Sequence, residues 1–320
     1  MPKNEAEDPQ TFFSRTVWSA DHLDQMAEGE WEMRYRQIGD GVFNGQLQCL
    51  RLGTVTILRE RLNLEVLQET RSQSSSLFCA FPLAAENGWR INSTLETGEN
   101  VAIRSGTTEL LSVPGAHNDL VSIETNTRDF SSLYLEEGIK SRKRTDADRQ
   151  ISDWLCSILE FASMKPSMTS QETSLLEDLS QDAITAFALR FGEDAPRTLN
   201  RQRQFRHMQT ILTLMEDSKD APATLSAISR QTDISETDAA QAIRSMTGRS
   251  PLNWLKVVRL NSARRDLLNA EEGEEINVSS VATKWGFFHF GRFAKNYRHQ
   301  FCETPSQTLY RSAQTGQQAQ

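Results

Sequence analysis

The sequence predicts an α+β chain in two parts: an N-terminal barrel of short antiparallel strands with flanking helices, then an all-α domain of two helix-turn-helix units joined by a long helix. Three observations carry this. Apolar residues alternate with period two from Phe43 to about Phe130, helical spacing takes over from Ile151, and the stretch Trp285 to Pro305 has a weaker copy of itself upstream.

Length and charge set the limits. At 320 residues the chain exceeds the usual single domain, so two cores are expected. No apolar run approaches the roughly 20 residues of a membrane helix, and the opening MPKNEAEDPQ lacks a hydrophobic signal core. A cytoplasmic protein with no membrane partner is the expectation. Cys49, Cys79, Cys156 and Cys302 show no CxxC or metal-ligand spacing, which suits reduced, mostly buried thiols. The net charge of −8 conceals a gradient, because residues 276–311 hold five basic residues and one acidic. A weak positive patch on an acidic chain fits selective, salt-sensitive contact with DNA.

Residues 1–40 read as a polar tail followed by a helical segment around Leu23 to Met33 that carries Trp31. Then come the alternating runs Leu47/Cys49, Val55/Ile57, Leu62/Leu64/Val66, Leu77/Cys79/Phe81, Val101/Ile103, Leu111/Val113 and Val121/Ile123, punctuated by glycines, for which a small barrel or sandwich is the natural closure. Trp31, Phe43, Phe81 and Trp89 are candidate apolar walls of a ligand site in its mouth, and Glu60, Glu96 and Glu109 are candidate partners for a cation. His117 is the one imidazole of this region and no GxSxG occurs, so no metal, cofactor or catalytic residue is expected. The charged segment Gly138 to Asp148 reads as a solvated linker. Two amphipathic helices follow, one through Ile151, Trp154, Leu155, Ile158, Leu159 and Ala162, the other through Leu175, Leu176, Leu179, Ala183, Ile184, Phe187 and Phe191. Such helices can pack on the barrel or pair with a second protomer.

Gly192 to Gln204 reads as a linker, and Phe205, Met208, Ile211, Leu212 and Met215 as the first helix of the second part. Ser235 is a good N-cap for a helix from Glu236 to Met246 that ends at Gly248, and Ser250-Pro251 starts the long helix. The later copy follows. Ile228 matches Val281, Ile234 matches Phe287, Ile243 matches Tyr297, Gly248 matches Cys302 and Ser250-Pro251 matches Thr304-Pro305, with an offset growing from 53 to 54. In the second copy Val278, Val281, Ala282 and Trp285 make one short helix that Gly286 ends. Phe290, Phe293, Tyr297 and Phe301 recur along the next, with Arg292, Lys295, Arg298 and His299 projecting from its other sides. Greasy on one face and cationic on the other, that helix meets the requirement for a rod that packs on its own domain and enters a major groove.

These residues carry a resemblance. With Ser235, the Gly248-Arg249-Ser250-Pro251 turn, Arg259-Leu260-Asn261-Ser262-Ala263-Arg264, Gly286-Phe287, Phe293, Tyr297, Phe301 and Pro305, residues 205–311 resemble the DNA-binding domain of AraC-type transcription regulators. WGFFHFGRFAKNY, WLKVVRLNSARR, GVFNGQL and Arg59-Glu60 look most like regulators of ethanolamine-utilisation operons. The resemblance implies a cupin-like effector-binding and dimerisation domain over 1–192 with helices at about 150–191, a linker at 193–204, the DNA-binding domain at 205–311 and a tail at 312–320. It also implies double-stranded DNA, RNA polymerase, a second copy of the chain and a small-molecule effector, a small amine or a cobalamin-type ligand, as partners, and activation as the outcome.

By the family pattern the groove-facing residues of the first unit correspond to Thr237, Ala240 and Gln241, and those of the second to Phe290, Gly291, Arg292, Lys295 and Asn296. Arg244, Arg298 and His299 would lie beside the DNA backbone. The chain departs from the pattern at Glu236 and Asp238, which stand where relatives often carry basic residues, so the second unit is expected to supply most of the affinity. The competing readings are a cupin-type enzyme whose helical half assists assembly, and an interaction protein of the same fold that does not bind DNA.

Overall fold

The structure is a computed structural model; it describes residues 12–24, 31–72, 76–86, 88–92, 94–106, 109–126, 138–165, 167–193, 197–198, 202–216, 224–270 and 277–318. The chain begins with β1 (Phe12–Val17) and the single turn α1 (Asp21–Asp24), then β2 (Trp31–Gln37), β3 (Gly45–Leu52), β4 (Val55–Leu62), β5 (Val66–Ser72) and β6 (Ser76–Ala84). Next are β7 (Trp89–Ile91), β8 (Thr94–Glu96), β9 (Asn100–Gly106), β10 (Leu110–Pro114), β11 (Asn118–Asn126) and β12 (Gly138–Lys143). Helices α2 (Asp146–Met164) and α3 (Ser170–Glu193) and a short β13 (Arg197–Thr198) complete the first half.

The expected barrel is not closed. Hydrogen bonding orders the strands into an eight-stranded sheet, β1-β3-β4-β11-β6-β9-β12-β13, and a five-stranded sheet, β2-β5-β10-β7-β8. The two face each other across a cavity, which makes a sandwich. Alternation of period two serves sandwich and barrel equally; closure depends on shear between end strands, which the pattern does not encode.

The same alternation assigns each face of the larger sheet. Val55, Ile57, Leu77, Cys79, Phe81, Val101, Ile103, Val121 and Ile123 point to one side, where they pack with Leu155, Ile158, Leu159 and Ala162 of α2 and Ile184, Phe187 and Phe191 of α3. The residues between them point inward, to the cavity. Two stretches differ from the sequence reading. The helical segment expected around Leu23 to Met33 is a turn at Asp21–Asp24 and, from Trp31, a strand; β2 alternates Met33 and Tyr35 with Arg34 and Arg36, both arginines pairing with Glu216, Arg34 from an exposed position and Arg36 from a buried one. The expected linker from Gly138 is β12, with Ile139 and Ser141 buried. Its Arg142 is buried as well, held by Asp148 at 2.6 and 3.1 Å, while Asp148 also closes the capping box of α2 with Thr145.

The second half is helical: α4 (Gln202–Glu216), α5 (Leu225–Gln231), α6 (Glu236–Thr247), α7 (Pro251–Leu268), α8 (Val278–Lys284), α9 (Phe290–Phe301) and α10 (Pro305–Gln318). The local signals read from the sequence operate here. Ser235 caps α6 through the Asp238 amide, Ser250 caps α7 with Pro251 in its first turn, and Gly286 takes φ of 71° after α8. Helix α7 is buried on nearly every side. Its N-terminal half (Trp254, Leu255, Val257, Val258) joins a core with α4, α5 and α6, and that core also takes in Ile38, Leu67, Leu111 and Val113 of the sandwich. Its C-terminal half (Leu260, Ala263, Leu267) packs with Val281, Ala282, Trp285, Phe293, Tyr297 and Phe301.

The two copies end their second helices alike, in left-handed backbone, at Gly248 (φ 70°) and at Cys302 (φ 56°). Only glycine adopts that conformation without steric cost. Cys302→Gly is therefore expected to stabilise the protein by about 1 kcal/mol, read as a shift in the urea midpoint with unchanged slope.

Candidate nucleic-acid interface and ligand cavity

Helix α9 sits on its own domain through Phe293, Tyr297 and Phe301, whose rings meet edge to face along the helix at centroid separations of 5.7 and 4.8 Å. The Tyr297 hydroxyl is tied to Thr308 at 2.9 Å. Arg264, 5% exposed, lies over the Phe301 ring and reaches Glu303 at 2.7 Å and Asp21 at 3.3 Å. With this face fixed, Phe290, Gly291, Arg292, Lys295, Arg298 and His299 face outward, while Asn296 is half-buried. Arg292, Lys295 and Arg298 form no ion pair among the described residues. Among the described residues, contact with the sandwich is at the far end of α9: His299 lies 3.7 Å from Asp40, and the Gln300 carbonyl accepts from the Gly41 amide at 3.1 Å. The cationic face is open.

The first unit differs. Thr237, Gln241 and Arg244 are exposed along one face of α6. Ala240 beside them is 7% exposed. Asp238 is occupied by Arg203 at 3.1 Å and by the Ser235 hydroxyl at 2.9 Å. The C-terminal end of α6 abuts the sandwich, where Arg90 donates to the Ser245 carbonyl and Arg249 pairs with Glu65 at 2.7 Å. Between the halves runs a buried network that the sequence did not reveal. Asn261 of α7 accepts from the Gln37 amide at 3.1 Å and donates to its carbonyl at 2.9 Å. The Gln37 carboxamide donates to the carbonyls of Gly39, Gly41 and Gln300.

The cavity between the sheets has a volume of about 380 Å³, within the range of small-molecule sites. Of the residues read as candidate ligand contacts, Glu60 and Trp89 line it. Phe81 does not: it faces α3, 4.8 Å from the Phe187 ring. Phe43 belongs to a separate cluster with Leu23 and Leu62. Glu109 is outside the lining, as is Glu96, which is buried against Asn100, and the Trp31 side chain lies outside the described residues. Parity decides Phe81, because its neighbours Ala80 and Phe78 are on the cavity face.

Glu60 ends a chain of hydrogen bonds that crosses from one sheet to the other. Ser112 donates to Gln68 at 2.7 Å, Gln68 to the Tyr35 oxygen at 2.9 Å, and Tyr35 to Glu60 Oε2 at 2.9 Å. The other oxygen, Oε1, is buried with no partner, as are Thr70 Oγ1 and Trp89 Nε1 on the same cavity. Tyr35, Gln68, Thr70 and Ser112 escaped the sequence reading; their signal is a polar side chain at each strand position where the alternation calls for an inward one. Among the described residues no group of three or more His, Cys, Asp and Glu could hold a metal ion, and no helix is long and apolar enough to cross a membrane.

A family model described as a helix-turn-helix domain matches residues 228–311. The probable thc operon regulatory protein of Rhodococcus erythropolis is 34% identical over 95 residues, covering 30% of this chain and 28% of that protein. A XylDLEGF operon transcriptional activator of Pseudomonas putida is 28% identical over 101 residues, covering 32% of this chain and 31% of its own. The solved structure of the AraC-like transcriptional activator CuxR aligns over 80% of this chain and 96% of its own, at 14% identity and a TM-score of 0.43. This chain thus spans less than a third of the length of each of these two relatives. Its C-terminal part is a helix-turn-helix DNA-binding domain.

Burial pushes the Glu60 carboxyl up to about 7, and the Tyr35 hydrogen bond opposes that rise. The folded protein then holds a proton that the unfolded chain releases near 4.5. Stability is expected to fall as pH rises from about 4.5 to 7, by about 3 kcal/mol in full. Urea titrations across that range check it: Glu60→Gln should flatten the slope.

Proposed function

We propose that this chain is a sequence-specific DNA-binding transcription regulator, a cytoplasmic activator that works as a homodimer, engages RNA polymerase and responds to a small molecule held between its sheets. The observation that carries this reading is the open cationic face of α9, backed by buried aromatics, within a helix-turn-helix domain. Arg292 and Lys295 read base edges, Phe290 and Asn296 flank them, and Arg298 and His299 lie beside phosphates. The first unit positions the domain through Thr237, Gln241 and Arg244. Its acidic Glu236 and Asp238 suit the helix dipole and weaken phosphate contact. Exposed Leu175, Leu179 and Leu189 of α3 are the surface on which a second copy pairs.

In this reading the N-terminal half is the cupin-like effector domain, and its effector is a small amine, in keeping with the resemblance to ethanolamine-utilisation regulators. A buried carboxyl with one unpartnered oxygen, and no ion pair among the described residues, favours a cationic guest. A cavity of about 380 Å³ is too small for a cobalamin. The amine would bind the ionised form of Glu60 and shift the balance of arrangements by its differential affinity. The DNA-binding domain favours this reading over a cupin-type enzyme.

Footprinting upstream of neighbouring genes, with and without amines, tests the whole. Arg292→Ala and Lys295→Ala are each expected to lower affinity by ~1–3 kcal/mol, and Gln241→Ala by much less. Equal losses from the two units would refute their inequality. Glu60→Gln should bind DNA and lose the response to amines; a retained response would remove Glu60 from the effector site.

A further inference from the structure

Gly291 lies in the first turn of α9 with helical backbone, and a Cβ built there meets nothing within 4 Å. Among the glycines whose surroundings are described, it is alone in this. Gly41, Gly53, Gly88, Gly248 and Gly286 take positive φ, and Gly39, Gly45, Gly98 and Gly115 have neighbours within 3.2 Å of a Cβ. Glycine is the least favourable helix residue after proline, so neither backbone conformation nor packing within the chain accounts for it here. Gly291 also heads the outward stripe Gly291, Lys295 and Arg298, spaced i, i+4 and i+7, opposite the buried Phe293, Tyr297 and Phe301.

Two aromatic rings flank this bare turn. Phe288 is 75% exposed and Phe290 is 47% exposed, whereas the other aromatics of the α8–α9 unit, Trp285, Phe287, Phe293, Tyr297 and Phe301, belong to its core. Exposed phenyl groups beside free Arg292 and Lys295 cannot be serving phosphates. They match the one apolar group a base presents in the major groove, the C5-methyl of thymine.

We infer that the first turn of α9 reads thymine by apolar contact: Gly291 lets the helix backbone come against the base edges, and Phe288 and Phe290 close on a thymine methyl beside it. This rests on the proposed DNA-binding function and adds to it a base preference that the cationic residues do not supply. Arg292 and Lys295 bring the helix to the groove, while the rings decide which step it settles on.

The test uses the full-length protein and a duplex it selects from a random pool. Each thymine of that duplex is replaced in turn by deoxyuridine, which lacks only the methyl. At one or two positions affinity is expected to fall roughly three- to fivefold, the value of one methyl group. With Phe288→Ala or Phe290→Ala that thymine-to-uracil difference should disappear. Gly291→Ala should melt at the same temperature as the parent or higher, and bind the duplex at least tenfold more weakly. Uniform tolerance of deoxyuridine, or undiminished binding by Gly291→Ala, would overturn the inference and leave the DNA-binding reading standing. Failure to select any duplex would overturn both.

Discussion

Asn261, at the middle of α7, uses its carboxamide on the backbone of Gln37, which is 224 residues away in the chain and belongs to the other half. Gln37 in turn donates to the Gln300 carbonyl, so a strand of the sandwich, the central helix of the second half and the end of α9 share one hydrogen-bonded knot. The apolar contacts around it, Ile38, Leu67, Leu111 and Val113 against α4–α7, favour burial but not any one register. Directional bonds do, because a slip of one residue would leave buried amides unpaired at about 1–3 kcal/mol each. The knot therefore fixes where the second half sits, and the ion pairs of Arg34 and Arg36 with Glu216 surround it.

A difference between the two helix-turn-helix units follows. The first shares its core with the sandwich and has the end of its second helix clamped there by Arg90 and Glu65. The second has a core of its own and, among the described residues, meets the first half at the end of α9 and through Arg264, which reaches Asp21. The unit with the acidic first turn is the anchored one, and the unit with the free cations is the one that presents an open face. Charge and packing thus divide the labour in the same direction. Tyr35, two residues before Gln37 on β2, belongs to the hydrogen-bond chain that ends at Glu60, so one strand serves both the cavity and the knot.

What the sequence reveals divides along physical lines. The caps at Ser235 and Ser250, the turn at Gly286 and the aromatic stripe of α9 are local signals, settled by residues within a turn or two of each other. At β2 the helical reading runs to Met33, whereas Trp31–Gln37 is a strand whose Arg36 is buried against Glu216, contributed by a distant element. β12 is misread for the same reason, its charges being taken up by the sheet and by Asp148. In the cavity, Glu60 is legible as a carboxyl in a strand, but Phe81 is not excludable. Which parity faces inward depends on which side of the sheet receives α2 and α3, and that is a property of the assembled fold.

Strand β13 pairs Thr198 with Lys140 and Arg197 with Ser141, which stitches the connection between the halves onto the edge of the larger sheet. Only three residues separate Thr198 from the first residue of α4, a reach of about 14 Å for an extended chain. A helical half that lets go of the knot is therefore still tethered at high local concentration, and its return is a unimolecular event indifferent to how much protein is present. The two-residue strand thus sets how far from the sheet edge the first residue of α4 can travel while β12 and β13 stay paired.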